Sequence, residues 1–226
     1  MTIAKRAFAE ALGTAGLVAT VVGSGIMAER LAGGNAAVAL LANAFATGGA
    51  LYVLILGLGP ISGAHFNPVI TLIEAALRRL PRAHVPAYLL AQLAGAIAGV
   101  VLAHAMFGLE LVQRSQHARS SHGELIGELV ATFGLWLVIA TASRARPSAT
   151  PAAVALYIMA AYWFTSSTSF ANPAVTVARS LTDTFAGIRP ADVLPFIAAQ
   201  LVGGALAALT TTWLVPARRA PSEDPA

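Results

Sequence analysis

The chain contains no cysteine. Disulfides, thiolate metal ligands and thiol nucleophiles are therefore excluded. Charge is nearly as scarce: Asp, Glu, Lys and Arg make up 11% of the 226 residues, against about 25% in an ordinary soluble domain. A water-soluble globule of this length would need a charged surface that this composition cannot supply. Also missing are His-Glu-x-x-His, Gly-x-Ser-x-Gly and any pair of aspartates inside an apolar run. Intramembrane hydrolytic chemistry thus has no anchor, and the chain is not expected to be an enzyme or to hold a metal or other cofactor.

What is present is apolar: 57% hydrophobic residues and a mean hydropathy of +0.73. Cutting the sequence at every charged residue leaves stretches 11–28, 31–73, 83–109, 129–143, 147–178 and 193–217, of 18, 43, 27, 15, 32 and 25 residues. A transmembrane helix needs about 20 apolar residues, so the chain has room for six spans, short connections and little else. It reads as one all-α membrane domain over 1–215, followed by a short, disordered cytoplasmic tail at 216–226.

The net charge of +4 would suit nucleic acid if the cations shared a face, but they sit at the ends of apolar stretches, and no nucleic-acid partner is expected. With both termini cytoplasmic, Lys5, Arg6, Arg78, Arg79, Arg82, Arg144, Arg146, Arg218 and Arg219 fall inside, and Arg30, Arg114, Arg119, Arg179 and Arg189 outside. Nine against five obeys the positive-inside rule for a multi-pass protein of the inner (plasma) membrane. The first apolar stretch is a retained helix rather than a secretory signal, because its Glu10 belongs to a pattern that recurs.

Stretches 31–73 and 147–178 have awkward lengths. Each fits one span, a break rich in Gly, Ser and Pro, and about half a span more. The breaks end in matching pentads, Asn67-Pro68-Val69-Ile70-Thr71 and Asn172-Pro173-Ala174-Val175-Thr176, 105 residues apart. Glu10-x-x-x-Thr14 matches Glu128-x-x-x-Thr132, and Ala91-Gln92-Leu93-x-Gly95 matches Ala199-Gln200-Leu201-x-Gly203. The repeats span about 5–110 and 121–215. Three spans per repeat is an odd number, so the halves insert inverted, which places a solute pathway at their interface. Gly95 with Gly99, and Gly203 with Ala207, offer small faces for close helix packing.

Proline fits the first turn of a helix, and asparagine before it is a favoured N-cap. Asn67-Pro68 and Asn172-Pro173 thus begin two re-entrant half-helices whose positive N-terminal ends face each other near the midplane. Such non-helical backbone is tolerated only inside protein or along a water-filled cavity. The expected centre has two asparagine amides as donors and two dipoles that repel cations.

With these residues in view, the chain resembles the aquaporin, or major intrinsic protein, family of channels. His65 to Thr71 resembles the family's first Asn-Pro-Ala box, with Val69 in place of the usual Ala, and Asn172-Pro173-Ala174 resembles the second. The resemblance covers about residues 5–215. It implies an hourglass of six transmembrane helices and two half-helices, a homotetramer in the lipid bilayer with one pore per subunit, and small neutral solutes as partners. It also implies that Glu10 and Glu128 are buried carboxylates bracing the loops before the half-helices.

The family's second box continues with an arginine at the outer constriction, where this chain has Val175. Counting along the family pattern puts the other filter positions at Thr47, Ala160 and Ser169. That set holds no aromatic residue and no charge, so a wide, weakly polar filter is expected. Two readings of Val175 stand. One is drift, with Arg179 supplying the cation from one turn, about 6 Å, farther out. The other is altered selectivity for solutes larger than water, a reading to which Thr47 and Ala160 contribute. The box also resembles bacterial channels associated with arsenic resistance, which implies arsenite, methylated arsenicals and glycerol as solutes. An ordinary water and glycerol facilitator is the alternative, and a secondary active transporter, which also uses inverted repeats, is the rival from another class. His65 is expected at the cytoplasmic mouth, lining the pore. His84, His104, His117 and His122 lack ligand spacing, and Gln92 and Gln200 read as interhelical hydrogen bonders.

Overall fold

In the computed structural model, residues 1–214 are described; the tail expected at 216–226 lies outside them. The helices run α1 (Ile3–Leu31), α2 (Ala36–Ser62), α3 (Pro68–Ala76), α4 (Val85–Phe107), α5 (His122–Ala145), α6 (Thr150–Phe164), α7 (Pro173–Arg179) and α8 (Pro190–Leu214). The short α3 and α7 are the half-helices, and the other six are the spans. With their lead-in turns, α1, α2, α4, α5 and α8 are long and apolar enough to cross a membrane. At 15 residues, α6 is shorter.

Helix starts follow from local chemistry. Asn35 accepts from the backbone NH of Ala37 and Val38 to begin α2. Ser121 and Glu124 exchange bonds in a capping box at the start of α5. Pro60 lies in the last turn of α2, and Gly63, at φ 96°, closes that helix in the left-handed region that glycine adopts at little cost.

The small residues do what their spacing predicts. A Cβ on Gly95 or Gly99 would overlap the carbonyl oxygens of Ala11 and Ala15, and one on Gly203 would overlap that of Leu129. Thus α4 lies tight against α1, and α8 lies tight against α5, as inverted copies of one another. Helices α2 and α6 pack side by side, and the half-helices meet between the two groups. Much of the outer surface is bare leucine, valine and phenylalanine, such as Phe45, Leu90 and Leu209, which suits lipid tails.

Candidate functional site

Each half-helix begins as its sequence dictates. Asn67 Oδ1 accepts from Val69 N at 3.0 Å, and Asn172 Oδ1 accepts from Ala174 N at 3.0 Å and Val175 N at 3.3 Å. The other ends of the two amides cross over. Asn67 Nδ2 donates to Ala171 O, and Asn172 Nδ2 donates to Phe66 O, each at 2.7 Å. An amide NH2 carries two donors, so one is spent joining the repeats and one is left for the cavity both residues line. Of the four amide N–H groups expected at the pore centre, two therefore serve as structural clasps.

The loops that deliver these asparagines are strained. Ala64 and Phe66 in the first, and Thr168, Ser169 and Ala171 in the second, have φ between 49° and 60°, a region that costs a non-glycine residue about 1–3 kcal/mol. Buried carboxylates hold them there. Glu10 accepts from His65 N at 3.0 Å, Phe66 N at 2.7 Å and Ser62 Oγ at 2.6 Å. Glu128 accepts from Phe170 N and Ala171 N, both at 2.8 Å. The glutamines then link each carboxylate to its half-helix. Gln92 Nε2 donates to Glu10 and to Thr71 Oγ1, and Gln200 Nε2 donates to Glu128 and to Thr176 Oγ1. The threonine that closes each pentad is thereby explained: its hydroxyl also donates to the asparagine carbonyl one turn back.

Between the half-helices runs one cavity of about 490 Å³. Its wall on α6 is Thr150, Val154, Ile158 and Tyr162, the first and last twelve positions apart, or about 18 Å. One end carries His65, Glu74 and Arg79, and the other Thr47, Ser169, Val175 and Arg179. His65 Nδ1 is 3.0 Å from Thr71 Oγ1. Leu17, Val21, Leu51, Leu135 and Ile139 make much of the middle apolar.

Two expectations need correction. Ala160 is exposed on the outer face of α6 and does not line the cavity; Tyr162 does, with its hydroxyl 3.3 Å from Thr47 Oγ1. Two residues along a helix turn a side chain by about 200°, so the family spacing selected the wrong face. That end of the cavity is also not free of aromatics, because Phe170 and Tyr162 line it, together with Arg179, the cation that one reading of Val175 places there. Of the remaining box residues, Val69 and Ala174 are buried and do not line the cavity. Val69 fills the space beside Gly204, where a Cβ would overlap its Cγ1, so the departure from Ala in the first box is matched by a glycine on α8.

Arg119, from the connection between α4 and α5, was not foreseen. It is 7% exposed and its Cζ lies 5.0 Å from the Phe170 ring centroid. No periodicity marks it in the sequence. His104 is a satisfied core histidine, its ring nitrogens at 3.0 Å from Leu111 O and 2.7 Å from Thr182 Oγ1.

The Major intrinsic protein family profile matches residues 1–165. The chain belongs to that family. It is 52% identical over 217 residues, 96% of this chain and 93% of the relative, to the aquaglyceroporin AqpS of Rhizobium meliloti (strain 1021). It is 39% identical over 97 residues, 43% of this chain and 31% of the relative, to the probable aquaporin NIP5-1 of Arabidopsis thaliana. Its fold matches the X-ray structure of the aquaglyceroporin from Plasmodium falciparum with a TM-score of 0.75 at 20% identity, covering 93% of this chain and 96% of that one. The chain is accordingly a multi-pass membrane protein of a family of passive channels for small neutral solutes.

Proposed function

We propose that this channel passes compact, uncharged polyhydroxy solutes: metalloid hydroxides such as arsenite, methylated arsenicals, and glycerol. The observation that carries the reading is Val175, 5% exposed and lining the cavity at the place where the resembled box keeps an arginine. Around it stand the hydroxyls of Thr47, Tyr162 and Ser169, suited to a solute whose own hydroxyl groups replace its water shell. The Asn-Pro boxes (Asn67, Pro68, Val69, Asn172, Pro173, Ala174) organise the centre, Thr47, Ser169 and Val175 the filter, and His65 and Arg179 its two ends. Assembly as a homotetramer in the inner membrane, with both termini cytoplasmic, belongs to the same reading.

Stopped-flow light scattering of proteoliposomes under arsenite or glycerol gradients tests it. Permeability above that of empty vesicles, and indifferent to proton or sodium gradients, is expected; flux no higher than in empty vesicles overturns it. Arg179 and Tyr162 favour a second reading, an ordinary water and glycerol facilitator whose cation has moved one turn outward. Val175→Arg separates the two. It cuts arsenite flux more than water flux if the valine admits the larger solute, and cuts both equally if it does not.

A further inference from the structure

Two buried arginines flank Phe170 at one end of the cavity, Arg179 lining it and Arg119 on the ring without lining it, and among the described residues neither side chain touches a carboxylate. Arg179 is 2% exposed, and its Cζ stands 3.3 Å from the centroid of the Phe170 ring, the same ring that Arg119 approaches. Each guanidinium holds a neighbouring carbonyl of the connection from α7 to α8. Arg179 Nε donates to Ala186 O, and Arg119 Nε donates to Gly187 O at 2.9 Å. Arg119 also donates from Nη1 to Ser167 O at 3.2 Å. Among the described residues, the ion pairs are Arg79 with Glu74 and Arg189 with Asp192, and neither includes these two arginines. Glu128, on the adjoining α5, has both oxygens occupied by Phe170 N, Ala171 N and Gln200 Nε2.

Both terminal nitrogens of Arg179 are thus left without a protein acceptor among the described residues. Ser169 Oγ, which is buried and lines the same cavity, also has no hydrogen-bond partner among the described residues. Buried charge without a partner is costly, and a guanidinium fork matches the two oxygens of an oxyanion. We infer that the outer mouth contains a binding site for a small monovalent oxyanion, contacted by Arg179 and Ser169 Oγ, with Arg119 as the second charge. The inference rests on the channel reading in one respect, that an anion seated there obstructs the solute path. The deeper walls include the apolar Leu17, Val21 and Leu135 beside the two asparagine amides, none of which carries a full charge to replace the arginines.

Methanesulfonate, a small monoanion across the working pH range, is the probe. Glycerol flux into proteoliposomes of the full chain is measured as methanesulfonate replaces chloride at constant ionic strength and osmolarity. With a dissociation constant on the order of 1 mM, 10 mM anion fills about nine sites in ten and lowers flux about tenfold. Arg179→Gln abolishes the block, and Arg179→Lys, which keeps the charge but loses the fork, weakens it. Wild-type flux that is the same in both salts overturns the proposal without recourse to any variant, as does a block of equal depth in Arg179→Gln. Glycerol flux in chloride no higher than in empty vesicles is a failure of the channel reading. The anion site is then judged separately by whether methanesulfonate raises the melting temperature of the purified protein above its value in chloride; an unchanged temperature overturns it.

Discussion

In the first repeat the residue two before the half-helix asparagine is His65, an imidazole hydrogen-bonded to Thr71 of its own pentad. In the second it is Phe170, a ring with two guanidinium groups against it. The backbone around both is held alike: Glu10 and Glu128 take the NH groups of residues 65, 66 and 170, 171, and Gln92 and Gln200 tie those carboxylates to Thr71 and Thr176. The relay fixes where the chain turns but leaves the side chain two before each asparagine free. An inverted repeat can therefore keep one scaffold and give its two mouths different chemistry. At the end of the cavity that carries His65, Arg79 is paired with Glu74 at 3.2 Å; at the Phe170 end, the side chains of Arg119 and Arg179 donate only to carbonyls among the described residues.

The strongest way to break this comparison is to cut the relay in each half. Glu10→Leu strands four donors and Glu128→Leu three, each costing about 1–3 kcal/mol when left unmade. Both variants should fail to yield monodisperse protein, while Glu10→Gln and Glu128→Gln, which keep one acceptor oxygen, should be recovered with lowered melting temperatures. If one leucine variant folds normally and the other does not, the two glutamates are not equivalent.

A smaller effect tests where the scaffold itself differs. The α8 residue four after Gln200 is Gly204, beside Val69, whereas the α4 residue four after Gln92 is Ala96. Gly204→Ala should lose about 1–3 kcal/mol to overpacking, less the roughly 0.5–1 kcal/mol that alanine gains over glycine in a helix. Adding Val69→Ala should relieve the overlap. Thermal unfolding of the two single variants and the double checks this; strict additivity would mean that valine and glycine are not a matched pair.

The sequence was informative wherever a constraint repeats. Matching pentads, glutamates and glutamines in an inverted order specify the helix count, the half-helices and the carboxylate braces, because each is a hydrogen-bonding demand of the same backbone in both halves. It was misleading where position was inferred by counting. The face of α6 that meets the cavity is set by how that helix packs on α2 and α5, and this puts Tyr162 inward and Ala160 outward. Arg119 was illegible for another reason: it arrives from a connection with no periodicity, and only the path of that connection brings it to Phe170. Tyr162→Phe removes the hydroxyl that faces Thr47 and should alter the glycerol-to-water permeability ratio by about 1 kcal/mol, or fivefold. Ala160→Phe should leave the ratio unchanged. The opposite pattern would restore Ala160 to the filter.

The least of the expected effects concerns the charge of the outer mouth. His117 sits on the connection that carries Arg119, and partial burial of its ring, then the charges of Arg119 and Arg179, push its pKa below the usual histidine value; Glu124 and Asp183 pull weakly the other way. Because its folded pKa lies below the unfolded one, protonation is disfavoured in the folded state. Neutral His117 therefore contributes its full stability above about pH 6.5, and the protein loses that contribution as pH falls below it. The melting temperature should be level between pH 8 and 7 and decline between about pH 6.5 and 5, with His117→Gln showing a shallower decline. The difference should be small, because much of the residue still faces solvent and salt screens solvent-facing charges, and it should shrink further in methanesulfonate if an anion already offsets the two arginines. An acid decline of the same depth in His117→Gln would remove His117 from the account and leave the positive character of the outer mouth to Arg119 and Arg179 alone.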